Sequence, residues 1–314
     1  MTPRSLSRRL FFLTLFGGAA LAVARARKSS EDDDSTIVVA ASRILLELDS
    51  DDWGAAKQLI PTWVRTSATS VAAYYAKFPL PEVRLRVSPY DGEGVGHGMT
   101  FGDHGGHIHI SVGNRTTAPE FHSDWMLTHE MVHLSFPSIN GDHHWIEEGI
   151  ATYVEPIARV MSGNMDAQEM WFQLLRDLPQ GLPAPGDDGL DRTHSWANTY
   201  WGGALYCFLA DVEIRRATNA SLGLQDALRG ILNAGGDIRQ SWDLSQALKI
   251  GDESTHNSVL ASLYAKMKDT PVQVDLPKMW KDLGVARSGD SVVFDDSAPL
   301  AAVRRAITLP PHSS

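Results

Sequence analysis

The sequence predicts an α+β fold, with a small N-terminal antiparallel sheet lobe over residues 36–120 and a mainly helical lobe over 121–314. Three observations carry this. The stretches EVRLRVSPY and HIHISVG alternate apolar and polar residues with the period of two of half-buried strands. From Phe121 onward, apolar residues recur at three- and four-residue spacing, as on amphipathic helices. No linker divides residues 36–314, so they read as one unit with two lobes.

Ahead of that unit, residues 1–26 have a basic start (Arg4, Arg8, Arg9), an apolar run from Leu10 to Val23, and a small-x-small site at Ala24-Arg25-Ala26. This is the pattern of a secretory signal peptide. SRRLFF, the Gly17-Gly18 dilution of the apolar core, and Arg25 and Arg27 near the cleavage site resemble a twin-arginine export signal. The expectation is a bacterial protein, periplasmic or secreted, with its signal removed; an uncleaved anchor is the competing reading. RKSSEDDDS (27–35) reads as a flexible tether. TIVVAASRILLEL has a strand-like and a helix-like half. WGAAKQLIPTWVRTSATSVAAYYAKF has helical spacing that Pro61 interrupts. The glycine-rich turn DGEGVGHG then separates the two alternating strands. Helices are expected at about 121–135, 144–161, 166–177, 196–216, 221–233 and 256–267, with the Pro/Gly/Asp loop QGLPAPGDDGLDRTH between two of them. SVVFDD and APLAAVRRAI suggest a closing strand and helix.

The 314 residues are 43% hydrophobic and 21% charged, with a net charge of −10. That acidity argues against nucleic acid as the main partner, because phosphate binding needs a basic face. Nothing beyond the N-terminus is apolar for long enough to span a membrane. Cys207 is the sole cysteine and lies in the apolar run ALYCFLA, so it reads as a core thiol and no internal disulfide is expected. The stretch GEGVGHGMTFGDHGGHIHIS is no nucleotide loop, because no helix follows it to cradle a phosphate.

The chemistry concentrates in HEMVH. His129 and His133 are four apart, which places both imidazoles on one helix face within reach of one ion. Glu130 occupies the general-base position of an HExxH helix. A catalytic zinc takes three protein ligands and keeps one position open. Glu148 follows His133 after fourteen residues, enough for a turn at PSINGDHH, with Pro137 and Gly141, and a returning helix. Glu147 competes for the third place but points ~100° away on a helix. His143 and His144 also compete, as ligands or helix-start residues, and Asp142 reads as an N-cap.

HEMVH followed by WIEEGIATYVE resembles the gluzincin zinc peptidases, whose pattern is HExxH, a spacer, then WxxEGxAxYxE. The matches are Trp145, Glu148, Gly149, Ala151, Tyr153 and Glu155. The resemblance implies a thermolysin-like zincin catalytic unit holding one Zn2+, with Glu148 as the third ligand. It also implies that Glu155 is a carboxylate behind the ligands that orients a histidine. Further on, TYWGGALYCFLADVEIRR is similar to the helix after the active site in glycyl aminopeptidases and their relatives. It matches at Tyr200, Gly203, Leu205, Leu209, Asp211, Ile214 and Arg215. There the resemblance implies that the Tyr200 hydroxyl supports an oxyanion. The spacer is shorter than in the large aminopeptidases, and no GxMEN strand is present, so aminopeptidase specificity is not implied.

The function expected is an exported zinc metallopeptidase acting on a peptide or protein substrate. Two other classes remain: a catalytically idle zinc domain that binds a partner, and a zinc hydrolase of a non-peptide amide in the cell envelope. Next to such a site, HIHISVG is expected to be an edge strand that pairs with extended substrate. His104, His107 and His109 read as exposed strand histidines more readily than as a second metal site.

Overall fold

Thr36–Val39 (β1) and Ser42–Leu48 (β2) are two strands joined at Ala40 and Ala41, which have φ of 47° and 66°. Two consecutive positive φ values make the tight hairpin turn. Residues 42–48 are therefore strand and not the expected helical half: alternate side chains such as Ile44 and Leu46 are buried, a period of two. The computed structural model describes residues 36–50, 53–141 and 143–309. The signal and tether readings and the Asp142 cap fall outside these residues.

Helix α1 (Ile60–Tyr75) follows a short 3-10 turn. Pro61 sits in its first turn, where a missing N–H breaks no helical bond, so the proline begins the helix and does not interrupt it. Strands β3 (Glu82–Tyr90), β4 (Val95–Phe101) and β5 (His107–Gly113) complete a five-stranded sheet in the order β1-β2-β3-β5-β4. The sheet is mixed and not antiparallel as expected. β2 pairs with β3 and β3 with β5 in parallel, and β4 pairs with β5 antiparallel. Alternation marks a strand but carries no direction; α1 is the crossover that a parallel β2–β3 pair requires. β4 is also the edge, so HIHISVG is an interior strand, which corrects its expected edge position. One sheet face buries Ile44, Val83, Leu85, Ile108 and Ile110, while the other carries ion pairs such as Arg43–Glu82 and Arg86–Asp49.

The helical lobe comprises α2 (Ala118–Ser123), α3 (Met126–His133), strand β6 (Ser138–Ile139), α4 (His144–Met161) and α5 (Ala167–Asp177). A π turn at Asn198–Gly202 then leads into α6 (Gly203–Ala217), followed by α7 (Leu224–Asn233) and strand β7 (Ser241–Trp242). Helices α8 (Leu244–Thr255), α9 (Val259–Met267) and α10 (Leu276–Leu283), the hairpin β8 (Val285–Ser288) and β9 (Ser291–Phe294), and α11 (Ala301–Thr308) complete it. The expected helix at 121–135 is two helices. Asp124 is extended between them, and its carboxylate accepts the Met126 and Leu127 amides at 3.0 and 3.2 Å, starting α3 afresh. No helix among the described residues is long and apolar enough to cross a membrane. Cys207 is buried, and burial pushes its thiol pKa up, in keeping with a core residue.

Asp211 locks this lobe together. It accepts from Arg215 Nε at 2.8 Å, the Leu224 amide at 2.9 Å and the Tyr153 hydroxyl at 3.0 Å, tying α6 to α7 and α4. Asp211→Ala leaves the Arg215 guanidinium buried without its carboxylate. Urea unfolding of that variant is expected to show a loss of ~3–5 kcal/mol.

Candidate metal centre

Helices α3 and α4 meet at three side chains. His129 Nε2 lies 3.2 Å from Glu148 Oε2 and 3.2 Å from His133 Nε2, and His133 Nε2 lies 3.6 Å from the same carboxylate oxygen. Gly141, at φ 80°, takes part in the turn that returns the chain. Gly149 lets α6 lie directly on α4: a Cβ there would stand 2.4 Å from the Gly203 Cα, and one on Gly203 would stand 2.0 Å from the Trp145 carbonyl. The two glycines of the sequence pattern are thus one close helix contact.

The donor set fits a cation. The corners of a tetrahedron whose centre is ~2.0–2.1 Å away are roughly 3.3 Å apart, which the three separations bracket. Two imidazole nitrogens and a carboxylate oxygen are also the ligand types zinc takes. Among the described residues, these three side chains are the one group placed to share an ion. His129 and Glu148 are buried, at 3% and 7% exposure. Burial lowers the His129 pKa and outweighs its bond to Glu148, favouring the neutral ligand form. At Glu148 burial works against ionisation, but hydrogen bonds from His129, His133 and His144 outweigh it and hold the carboxyl well below the usual range. Burial also opposes charge on His133, where the Glu148 bond and the nearby carboxylates prevail and raise its pKa.

Glu130, buried beside the triad, is positioned by the edge strand. The Thr100 hydroxyl donates to Glu130 Oε2 at 2.5 Å and lies 2.9 Å from its carbonyl. Gly98 makes the room: a Cβ there would be 2.7 Å from Glu130 Cγ. Tyr200 lies in the π turn, its ring stacked at 6.2 Å over His129 and at 5.4 Å against Trp196. Burial, then the charges of Glu148 and Glu130, push its phenol up to about 12, so it is a neutral donor at ordinary pH. A cleft of about 880 Å3 opens over these groups, walled by β4 on one side and by Trp125, Trp196 and Tyr200 on another. Thr100, Gly98, Trp125 and Trp196 are site residues that sequence reasoning missed.

The competitors for the third place are held elsewhere. Glu147 accepts from the Ile139 amide at 2.9 Å and pairs with His144 at 3.0 Å. His143 pairs with Asp191 at 2.9 Å. His144 touches only the outer Glu148 oxygen, at 3.3 Å, and its two glutamate partners, Glu147 then Glu148, raise its pKa to about 10. Glu155 is buried two turns along α4, paired with Arg159 at 3.1 Å; no bond joins it to either ligand histidine. Burial lifts its carboxyl to about 7 against the pull of Arg159. His107 and His109 lie beside Phe101, with ring centroids 4.9 and 5.6 Å away.

No protein-family profile matches this sequence, and no curated protein matches it. Solved structures do. An aminopeptidase N family protein from Idiomarina loihiensis superposes with a TM-score of 0.59 at 12% identity, over 80% of this chain and 49% of the other. The chain shares the fold of this aminopeptidase N family structure. An M1 zinc metallopeptidase from Deinococcus radiodurans is also similar, with a TM-score of 0.48 at 14% identity, over 77% of this chain and 52% of that one. The chain spans about half the length of the solved structures it matches. The α+β architecture, sheet lobe before helical lobe, is as the sequence predicted, apart from the strand directions.

Proposed function

We propose that this chain is an exported, zinc-dependent peptidase. The observation that carries the reading is the convergence of His129, His133 and Glu148, with Glu130 beside them, on the floor of an open cleft. His129, His133 and Glu148 would hold one Zn2+. Bound there, the ion supplies a Lewis acid and lowers the pKa of water. Glu130 takes the proton of the attacking water and hands it to the leaving nitrogen. Thr100 fixes the carboxylate for that task. Tyr200 donates to the oxyanion that develops on the attacked carbonyl. The free edge of β4 along the cleft offers backbone groups to an extended peptide, which favours a peptide over another amide. The N-terminal sequence supports export.

Tyr200→Phe is expected to lower kcat about 100- to 1,000-fold with unchanged metal content, read by steady-state kinetics and metal analysis. The reading itself is tested by mass-spectrometric profiling of a mixed peptide library. The zinc-loaded protein should cut it and Glu130→Gln should not. Absence of cuts by both would move the assignment to a non-peptide amide or to an idle zinc domain.

A further inference from the structure

Helical spacing brings one imidazole to two carboxylates. His144 opens α4, and Glu147 and Glu148 follow it at the three- and four-residue intervals that put side chains on one helix face. Its ring bridges them: Nδ1 lies 3.0 Å from Glu147 Oε2, and Nε2 lies 3.3 Å from Glu148 Oε1. Carboxylate oxygens only accept, so both ring nitrogens donate and the ring is an imidazolium. The other oxygen of Glu147 accepts the Ile139 amide at 2.9 Å. Ile139 belongs to β6, which is held by parallel pairing with β7 and by the Ser138 amide donating to the Gln240 carbonyl at 2.9 Å. A continuous chain of contacts therefore runs from the β6 backbone through Glu147 and His144 to the outer oxygen of Glu148.

The two oxygens of Glu148 face different partners. Oε2 faces His129 Nε2 and His133 Nε2, at 3.2 and 3.6 Å. Oε1 faces His144, which falls outside the group placed to share an ion. The last torsion of a glutamate is broad and holds no sharp preference of its own, so a contact on the outer oxygen is what fixes the inner one. We propose that His144 is a positioning residue for the third ligand, holding Glu148 so that Oε2 is aimed at the ion site, with Glu147 holding His144 in turn. The inference rests on the zinc reading above. The His144 side chain is 66% exposed, against 10% for Glu148, so its contact does not serve the packing of the core. Its positive charge opposes a cation nearby, but solvent screens so exposed a ring, and the orienting contact outweighs the repulsion.

Zinc affinity of the purified protein, titrated against a competing chelator, tests this without turnover. His144→Ala is expected to weaken zinc binding about 10- to 100-fold. His144→Gln should recover most of that loss, because its amide N–H donates to the same oxygen without carrying charge. Glu147→Ala should weaken zinc binding when His144 is present and add little once it is alanine. The urea midpoint of the metal-free protein should be the same for His144→Ala as for wild type, which a merely structural role would not give. Four results overturn the inference while the zinc site stands: wild-type zinc affinity in His144→Ala, tighter binding in both His144 variants, no recovery with glutamine, or metal-free stability falling in step with zinc affinity. A wild type that binds no zinc removes the zinc reading and the inference with it. A protein that holds zinc with the expected pattern but cuts no peptide keeps the inference and loses only the peptidase reading.

Discussion

Glu130→Gln is expected to retain one zinc ion per chain and to lose turnover by ~10²- to 10⁴-fold. The size is that of removing a positioned general base. Glutamine keeps the shape of glutamate and can still accept the Thr100 hydroxyl bond seen at 2.5 Å, so the surroundings stay in place. It cannot take a proton. The metal is expected to stay because Glu130 is outside the group of three side chains that could hold it. Purified variant and wild type, compared by metal analysis and by rates on a peptide the wild type cleaves, decide the matter. A variant within tenfold of wild type would remove Glu130 from the mechanism.

Glu148→Ala is expected to weaken zinc binding by more than ~100-fold, beyond the upper end of what loss of a residue behind the ligands costs. The carboxylate oxygen lies 3.2 and 3.6 Å from the two imidazole nitrogens, and Glu147 is committed to Ile139 and His144, so that glutamate is not free to replace it. Titration against a competing chelator measures the change. Wild-type affinity in the variant would transfer the third ligand position to another residue. Glu155→Gln serves as the contrast. Glu155 faces Arg159 and not a ligand histidine, so that variant disturbs the fold more than zinc affinity.

The parts of the site that were legible in the sequence are those set by local periodicity. His129 and His133 share a face because a helix repeats every 3.6 residues, whatever it packs against. The third ligand depends on how a hairpin returns, which spacing alone left open among Glu147, Glu148, His143 and His144; only the resemblance selected Glu148. Less still could be read of contacts between distant segments. Thr100 and Gly98 reach Glu130 because β4 is the sheet edge, and strand order is not encoded in alternation. Gly149 and Gly203 were visible as motif letters, but their meaning appears only where α4 and α6 touch. The same limit explains the mixed sheet. Helices α8 and α10 were missed because they are short and interrupted by polar residues, and tertiary packing of Leu244, Leu248, Leu276 and Trp280 sustains them.

The central claim is that His129, His133 and Glu148 together hold a single catalytic zinc. Anomalous diffraction at the zinc edge, from crystals of the zinc-loaded protein, tests it most directly. The account predicts one strong peak ~2.0–2.1 Å from His129 Nε2, His133 Nε2 and a Glu148 carboxylate oxygen. Zinc found only elsewhere, with the three side chains bonded to one another as a closed hydrogen-bonded cluster, would contradict it.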